Sequence, residues 1–230
     1  MGKSDNSQSK TNLKNFYDDV YYQESFQKTT SRSEKELLLS KNLEISFMKS
    51  LISLSPGVKL LDIGCGTGNF LESLNNENVD LWGIDISEIA TASAREKMAK
   101  PEQIVCADAD PLPFNDETFD VITAWGVIEH FPSPRTIVQE IRRALKPQGQ
   151  ASIMVPNIYY YKFIWDTLRT GKGPVKHQEI EYLYAFQEWK KFIEDSGLEV
   201  VKAERHNKFT KPKLLWFRRL IPFYFSNHFV

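Results

Sequence analysis

The feature that most constrains this chain is an apolar run that breaks into glycines, Leu60-Leu61-Asp62-Ile63-Gly64-Cys65-Gly66-Thr67-Gly68-Asn69-Phe70. Its first half reads as a buried strand, and the residues after the glycines take helical spacing. Glycines at such a junction let the backbone turn sharply and approach a ligand, with helix amides directed at it. A nucleotide triphosphate, a dinucleotide and an adenosyl cation all suit a loop of that kind.

The chain on either side repeats the strand-to-helix step. Short apolar runs at Val58–Ile63, Val79–Ile84, Ile104–Ala107, Phe119–Trp125, Ala151–Val155 and Leu198–Ala203 predict strands. Helical spacing falls at Leu37–Leu54, Thr67–Leu74, Glu88–Met98, Arg135–Leu145 and Phe186–Asp195. Alternation of this kind predicts an α/β fold with a mostly parallel sheet, and right-handed crossovers place helices on both faces. Residues 1–12 are polar and without periodicity, as in a disordered tail. Residues 13–230 are expected to form a single domain, with 13–56 as an N-terminal helical lid. The stretches 157–184 and 205–226 are expected as acceptor-side or insertion segments.

Three details narrow the ligand. No Gly-Lys-Ser/Thr follows the loop, so the phosphate-binding lysine of a P-loop is missing. The sixth position counted from Gly64 is Asn69, where a dinucleotide site wants glycine. Asp62 stands just before the loop, where a carboxylate would repel a pyrophosphate and favour a cation. S-adenosylmethionine carries two cationic groups, a sulfonium and an ammonium. Asp85, about 20 residues on, stands where an acid accepts ribose hydroxyls. NAD enzymes place an acid there too, and capping of the helix near Ser87 is a second reading of Asp85.

With those residues in view the chain resembles the class I S-adenosylmethionine-dependent methyltransferase superfamily, in its small-molecule, quinone-biosynthesis-like branch. Asp62-Ile63-Gly64-Cys65-Gly66-Thr67-Gly68 resembles the first motif of that family, and Gly83-Ile84-Asp85-Ile86-Ser87 the second. Ala107-Asp108-Ala109, Leu112-Pro113-Phe114, Ile128-Glu129-His130-Phe131 and Leu145-Lys146-Pro147-Gln148-Gly149 resemble later signatures in the family's order. The resemblance implies a Rossmann-like seven-stranded sheet of order 3-2-1-4-5-7-6, its last strand antiparallel and here short or truncated. It implies S-adenosyl-L-methionine as cofactor, with Gly64, Gly66 and Gly68 receiving the methionine part. Asp85 would then hold the ribose, Ile86 pack on the adenine, and Asp108 and the Ala109 amide bind its polar edge. Trp125 has two readings, a neighbour of the cofactor or a core aromatic. Cys65 has the readings of nucleophile and of a small residue fitting a tight turn, and the turn is favoured.

Methyl transfer from a sulfonium is an in-line displacement, so positioning the acceptor supplies much of the catalysis. A base matters most for a hydroxyl nucleophile. His130 is one candidate, because an imidazole titrates near neutrality. A backbone contact at the loop is its other reading; some quinone-biosynthesis relatives use an acid and a histidine here in a metal site, but no further ligands stand out, and no metal is expected. His177 is the second candidate, beside the aromatics Tyr159, Tyr160, Tyr161 and Trp165, with an exposed loop histidine as the alternative. Tyr17, Tyr21 and Tyr22 resemble the aromatic lid of the family.

Charge sets the remaining bounds. Twenty-nine basic and 30 acidic side chains leave a net charge of −1, no field to gather nucleic acid. Trp125-Gly126-Val127 also replaces the Asn/Asp-Pro-Pro-aromatic motif of nucleic-acid methylation. The expected partner is a small-molecule acceptor, methylated on oxygen. The basic, aromatic segment 208–225 reads as an insertion between the last two strands or as a peripheral membrane or lipid-like acceptor contact. Two cysteines, no secretory signal and no spanning run point to a cytoplasmic protein, membrane-associated if 208–225 meets a bilayer. Rival functions are a catalytically silent adenosyl-binding regulator and an NAD(P)-dependent oxidoreductase.

Overall fold

A computed structural model describes residues 14–18, 42–43, 45–159, 161–172, 181–206 and 228–229. The elements are β1 (Lys59–Ile63), α1 (Asn69–Glu72), β2 (Asp80–Asp85), α2 (Glu88–Lys97), β3 (Ile104–Cys106), β4 (Phe119–Trp125), α3 (Pro134–Ala144), β5 (Leu145–Pro156), α4 (Tyr161–Thr170), α5 (Phe186–Asp195), β6 (Arg205–His206) and β7 (His228–Phe229). The strand order is β3-β2-β1-β4-β5-β7-β6, the order expected from the resemblance. The chain groups into two compact units, Met1–Thr123 with Leu145–Gln150, and Ala124–Ala144 with Ala151–Val230.

In the first unit β1 pairs with β2 and β2 with β3, both in parallel. Leu60, Leu61 and Ile63 are all buried, so β1 carries a continuous apolar run rather than an alternating one. A strand covered on both faces has that pattern. Ser87 caps α2, its hydroxyl accepting the Ala90 amide at 3.1 Å. Arg95 and Lys97 sit in the last turn of α2, where cations suit the helix dipole. Ala90 and Ala94 are fully buried, and their small size lets the chain at Gly68 pack directly on α2.

The second unit is built around two amphipathic helices. In α3 the buried residues Ile137, Val138, Ile141 and Ala144 recur at one, four and seven residues from the first, a single helical stripe. In α5 the buried Trp189 donates its indole N–H to the Pro156 carbonyl at 3.0 Å. Its ring meets Tyr184 and Phe192 edge-on, at 4.9 and 5.8 Å. β7 runs antiparallel to both β5 and β6.

Several sequence expectations need correction. The helix expected over 67–74 is only the four residues of α1, because Gly68 holds a left-handed φ of 74° and the chain beyond Glu72 continues as turns. The fifth strand begins at Leu145 rather than Ala151. Leu198–Ala203 is not a strand: Leu198 and Val200 are only half-buried and Val201 is 84% exposed, and the two-residue β6 starts at Arg205. Helix α4 occupies a stretch whose sequence showed only aromatic enrichment. Residues 1–12, Tyr21, Tyr22, Tyr160, His177 and the segment 208–225 lie outside the described residues.

Candidate functional site

β1 delivers the chain to the glycine loop, and two of the loop amides are fixed at once. Gly64 N–H and Cys65 N–H both donate to the Ile84 carbonyl, at 2.8 and 3.1 Å. The next glycine amide, Gly66 N–H, donates to Asp85 Oδ2 at 2.9 Å. Asp85 Oδ1 accepts Ser87 N–H, also at 2.9 Å. Gly64, Gly66 and Gly68 have φ of 69°, 53° and 74°, a region that L side chains enter only at a cost. At Gly68 a Cβ would also stand 2.9 Å from Ala94 Cβ. The loop is therefore a bare backbone cradle held by an acid at the end of β2. Helix capping belongs to Ser87 and not to Asp85.

The electrostatics of Asp62 differ from the sequence picture. Its side chain is only 5% exposed, and Oδ1 accepts the Thr123 hydroxyl at 2.6 Å. Burial pushes its pKa up to about 7; the Thr123 hydrogen bond opposes that rise and Asp85 adds to it. Near neutral pH Asp62 is thus partly protonated. Burial, with Asp62 and Asp85 nearby, pushes the Cys65 thiol well up as well. A thiol kept protonated is a poor nucleophile. The turn reading of Cys65 has physical support, and the nucleophile reading has none.

The adenine candidates lie further along the same unit. Asp108 is half-buried, with Oδ1 accepting Asp110 N–H at 3.0 Å, and Ala109 is buried. Ile86 is half-buried, and its carbonyl faces the Cys106 sulfur at 3.7 Å. The helical residues 14–18 reach this edge: Asp18 accepts the Ser87 hydroxyl, and Lys14 pairs with Glu88. Tyr17 rests edge-on against Phe16 at 5.7 Å.

In the second unit the end of β4 carries the other candidates. Trp125 is half-buried and donates its indole N–H to Ser152 Oγ at 3.1 Å. Glu129 and His130 close the short 3-10 turn Ile128–His130. Glu129 is 3% exposed, and its Oε2 is a buried side-chain oxygen without a hydrogen-bond partner among the described residues. Burial raises the Glu129 pKa to about 8, its own backbone amide working against the rise and Glu181 adding to it. Glu129 Oε1 lies 3.7 Å from His130 Nε2. With the acid mostly protonated, that is a polar contact rather than an ion pair. The backbone N–H of His130 donates to the Val127 carbonyl at 3.0 Å, a turn bond that does not involve the imidazole. Among the described residues no group of three or more His, Cys, Asp or Glu side chains gathers as a metal site.

Sequence reasoning missed three participants. Lys97 reaches back from α2 to the Thr67 carbonyl and to Asn69 Oδ1, at 2.8 and 2.7 Å, stapling the end of the glycine loop. No motif marks a lysine 30 positions away. Thr123 appeared only as one apolar-run residue, although it is the partner of Asp62. Ser87 did carry a signal, since a serine just before a helical run is a cap.

The strand order is that of the class I methyltransferase fold, and the glycine cradle lies at the ends of β1 and β2. Residues 61–153 match the family described as a methyltransferase domain. The chain is 28% identical over 176 residues to the 27-O-demethylrifamycin SV methyltransferase of Amycolatopsis mediterranei, covering 72% of this chain and 62% of that protein. It is 29% identical to the sterol 4-C-methyltransferase of Caenorhabditis elegans, covering 72% and 55%. It is 31% identical to the ubiquinone biosynthesis O-methyltransferase of Photobacterium profundum, covering 40% and 41%. The chain therefore spans less than two thirds of each of these relatives. Among solved structures, an S-adenosylmethionine-dependent methyltransferase from Mesorhizobium loti superposes with a TM-score of 0.60 at 17% identity, covering 80% of this chain and 94% of that one. One from Aquifex aeolicus gives 0.52 at 20% identity, covering 70% and 81%. Residues 61–153 thus match a methyltransferase domain, and the chain shares the fold of S-adenosylmethionine-dependent methyltransferases.

Proposed function

We propose that the protein transfers the methyl group of S-adenosylmethionine to an oxygen of a small, lipophilic acceptor. The observation that carries this reading is the double hydrogen bond of Asp85 to the Gly66 and Ser87 amides beside a loop of three left-handed glycines. Such a cradle fits an adenosyl ligand: Gly64, Gly66 and Gly68 leave room for the methionine part, Asp85 is within reach of ribose hydroxyls, and Ile86, Asp108 and Ala109 would bind the adenine. The cofactor, when bound, supplies an electrophilic methyl on a sulfonium. The names of relatives that act on rifamycin, sterol and ubiquinone-pathway acceptors support a small-molecule acceptor.

His130 serves this proposal as general base, taking the proton of the acceptor hydroxyl as its oxygen is methylated. Glu129, buried and without a partner for Oε2, would orient that hydroxyl or the imidazole. Trp125 would wall the acceptor side. His177 and the segment 208–225 belong to the same reading, as acceptor-covering residues and a lipid-like acceptor contact. So does the treatment of residues 13–230 as one methyltransferase domain with a lid over 13–56.

Calorimetry with S-adenosylmethionine tests the cofactor half: binding by the intact chain and loss in Asp85→Ala and Asp108→Ala are expected, and no heat with the intact chain overturns it. Labelled cofactor incubated with fractionated metabolites tests the acceptor half. A labelled methyl ether is the expected product, and a label stable on nitrogen or carbon would refute O-methylation.

A further inference from the structure

Helix α4 turns two large apolar side chains outward, which a helix that only packs on its own domain does not need. Trp165 is 65% exposed and Leu168 77% exposed. Three residues apart, they stand together on one helical face. Tyr159, just before the helix, is 45% exposed. The half-buried residues are Phe163, Ile164 and Thr167, so the polar Thr167 lies nearer the protein than Leu168 does. A helix serving only the core places its apolar stripe inward and its polar face outward. Here Trp165 and Leu168 put an apolar patch on the outward face, in addition to the half-buried Phe163 and Ile164.

Basic charges border this face: Arg169, in the last turn of α4, and Lys172, just after it, are both exposed, and Asp166 is the single acid in the sequence between Tyr161 and Lys172. A tryptophan and a leucine on one face, bordered by cations, match a helix that lies in the plane of a lipid surface. Tryptophan in particular settles at the headgroup level, with its ring in the apolar boundary and its N–H in the wet layer. No helix among the described residues is long and apolar enough to cross a membrane, so contact of this helix with a bilayer would be peripheral.

We propose that α4 docks the protein on an anionic lipid bilayer, with Trp165 and Leu168 inserted at the interface and Arg169 and Lys172 on lipid phosphates. A lipophilic acceptor would meet the enzyme from that side. Docking itself stands on α4 alone and requires neither cofactor nor acceptor.

The test is co-sedimentation of the full chain with phosphatidylcholine vesicles, with and without phosphatidylglycerol. Binding to the anionic vesicles is expected, weakened by high salt as basic contacts require. Trp165→Ser and Leu168→Ser should each lower the partition coefficient about tenfold, the effect of losing one buried side chain. Arg169→Gln with Lys172→Gln should remove the preference for anionic lipid. Calorimetric binding of S-adenosylmethionine, measured on each variant, separates loss of docking from loss of folding or of the methyltransferase site. Failure of the unaltered chain to bind anionic vesicles overturns the proposal. So does equal binding by the Trp165→Ser, Leu168→Ser double variant, which would assign membrane contact to another segment such as 208–225. Light scattering that shows a dimer dissolved by the same double variant also overturns it, because a second copy would then cover the face.

Discussion

Asp85 and Glu129 are both buried acids just past or at the end of a strand, yet they live in opposite circumstances. Both oxygens of Asp85 accept backbone amides, from Gly66 and Ser87. Glu129 keeps Oε2 buried with no hydrogen-bond partner among the described residues, and its pKa is raised to about 8. A carboxylate bonded to two amides stiffens the loop it holds. A buried acid without such donors holds its proton instead, and is available to a group that arrives later. The difference teaches where the two parts of the proposed site stand: the glycine cradle is held by its acid, whereas the β4 end keeps a buried oxygen unused among the described residues.

Removing the Asp85 side chain is the hardest blow to that comparison. Asp85→Ala leaves two amides without their acceptor and should weaken S-adenosylmethionine binding about a hundredfold or more in calorimetry, with a lower melting temperature. Binding within threefold of the unaltered protein, on the other hand, would show that the cradle does not depend on its acid.

Gly68→Ala sharpens the claim that the loop must be bare. The new methyl would meet Ala94 at 2.9 Å from a backbone at φ 74°, a cost of about 2–4 kcal/mol in denaturant unfolding. An unchanged stability would refute the close packing of loop on α2.

The two raised acids give a pH signature. Asp62 and Glu129 hold protons in the folded state to about 7 and about 8, against ordinary carboxyl values of 3.8 and 4.5. Between those limits the native state binds more protons than the unfolded chain, so stability is full at acid pH and falls as pH rises. The melting temperature should therefore be higher at pH 5 than at pH 8. Each tenfold change in proton affinity is worth about 1.4 kcal/mol, and Asp62→Asn with Glu129→Gln should flatten the slope. Glu129→Gln should also lower turnover on the acceptor without weakening cofactor binding. Loss of cofactor affinity in that variant would erase the distinction between the two acids.

The smallest effect belongs to the surface. Lys191 and Asp195 pair at 3.0 Å on exposed α5, and Lys191→Ala should change stability by less than about 0.5 kcal/mol. A larger loss would mean that α5 depends on more than Trp189 beneath it.

How much of this was legible depended on whether the signal was local. β4 and α5 were readable to the residue, because a short run rich in β-branched and aromatic residues and a single helical stripe leave one interpretation each. The glycine cradle was readable because backbone conformation demands glycine. Leu198–Ala203 misled, since apolar residues that alternate still need a second surface to cover them. The state of Asp62 was hidden for a different reason: a letter in the sequence reports an acid, while burial and Thr123 decide whether it is charged. The Lys97 staple joins positions 30 residues apart, a separation that no local pattern records.

The protected thiol of Cys65 has a practical side. Its sulfur is buried beside Gly66 and kept in the protonated form, while Cys106, the only other cysteine in the chain, is half-buried at the end of β3. A maleimide dye offered to the folded protein should therefore attach to Cys106 first, without any cysteine being engineered away. The label would then sit beside Ile86, where the proposed function puts the adenine. Cofactor arrival would become visible as a change in fluorescence, a direct optical handle on the glycine cradle.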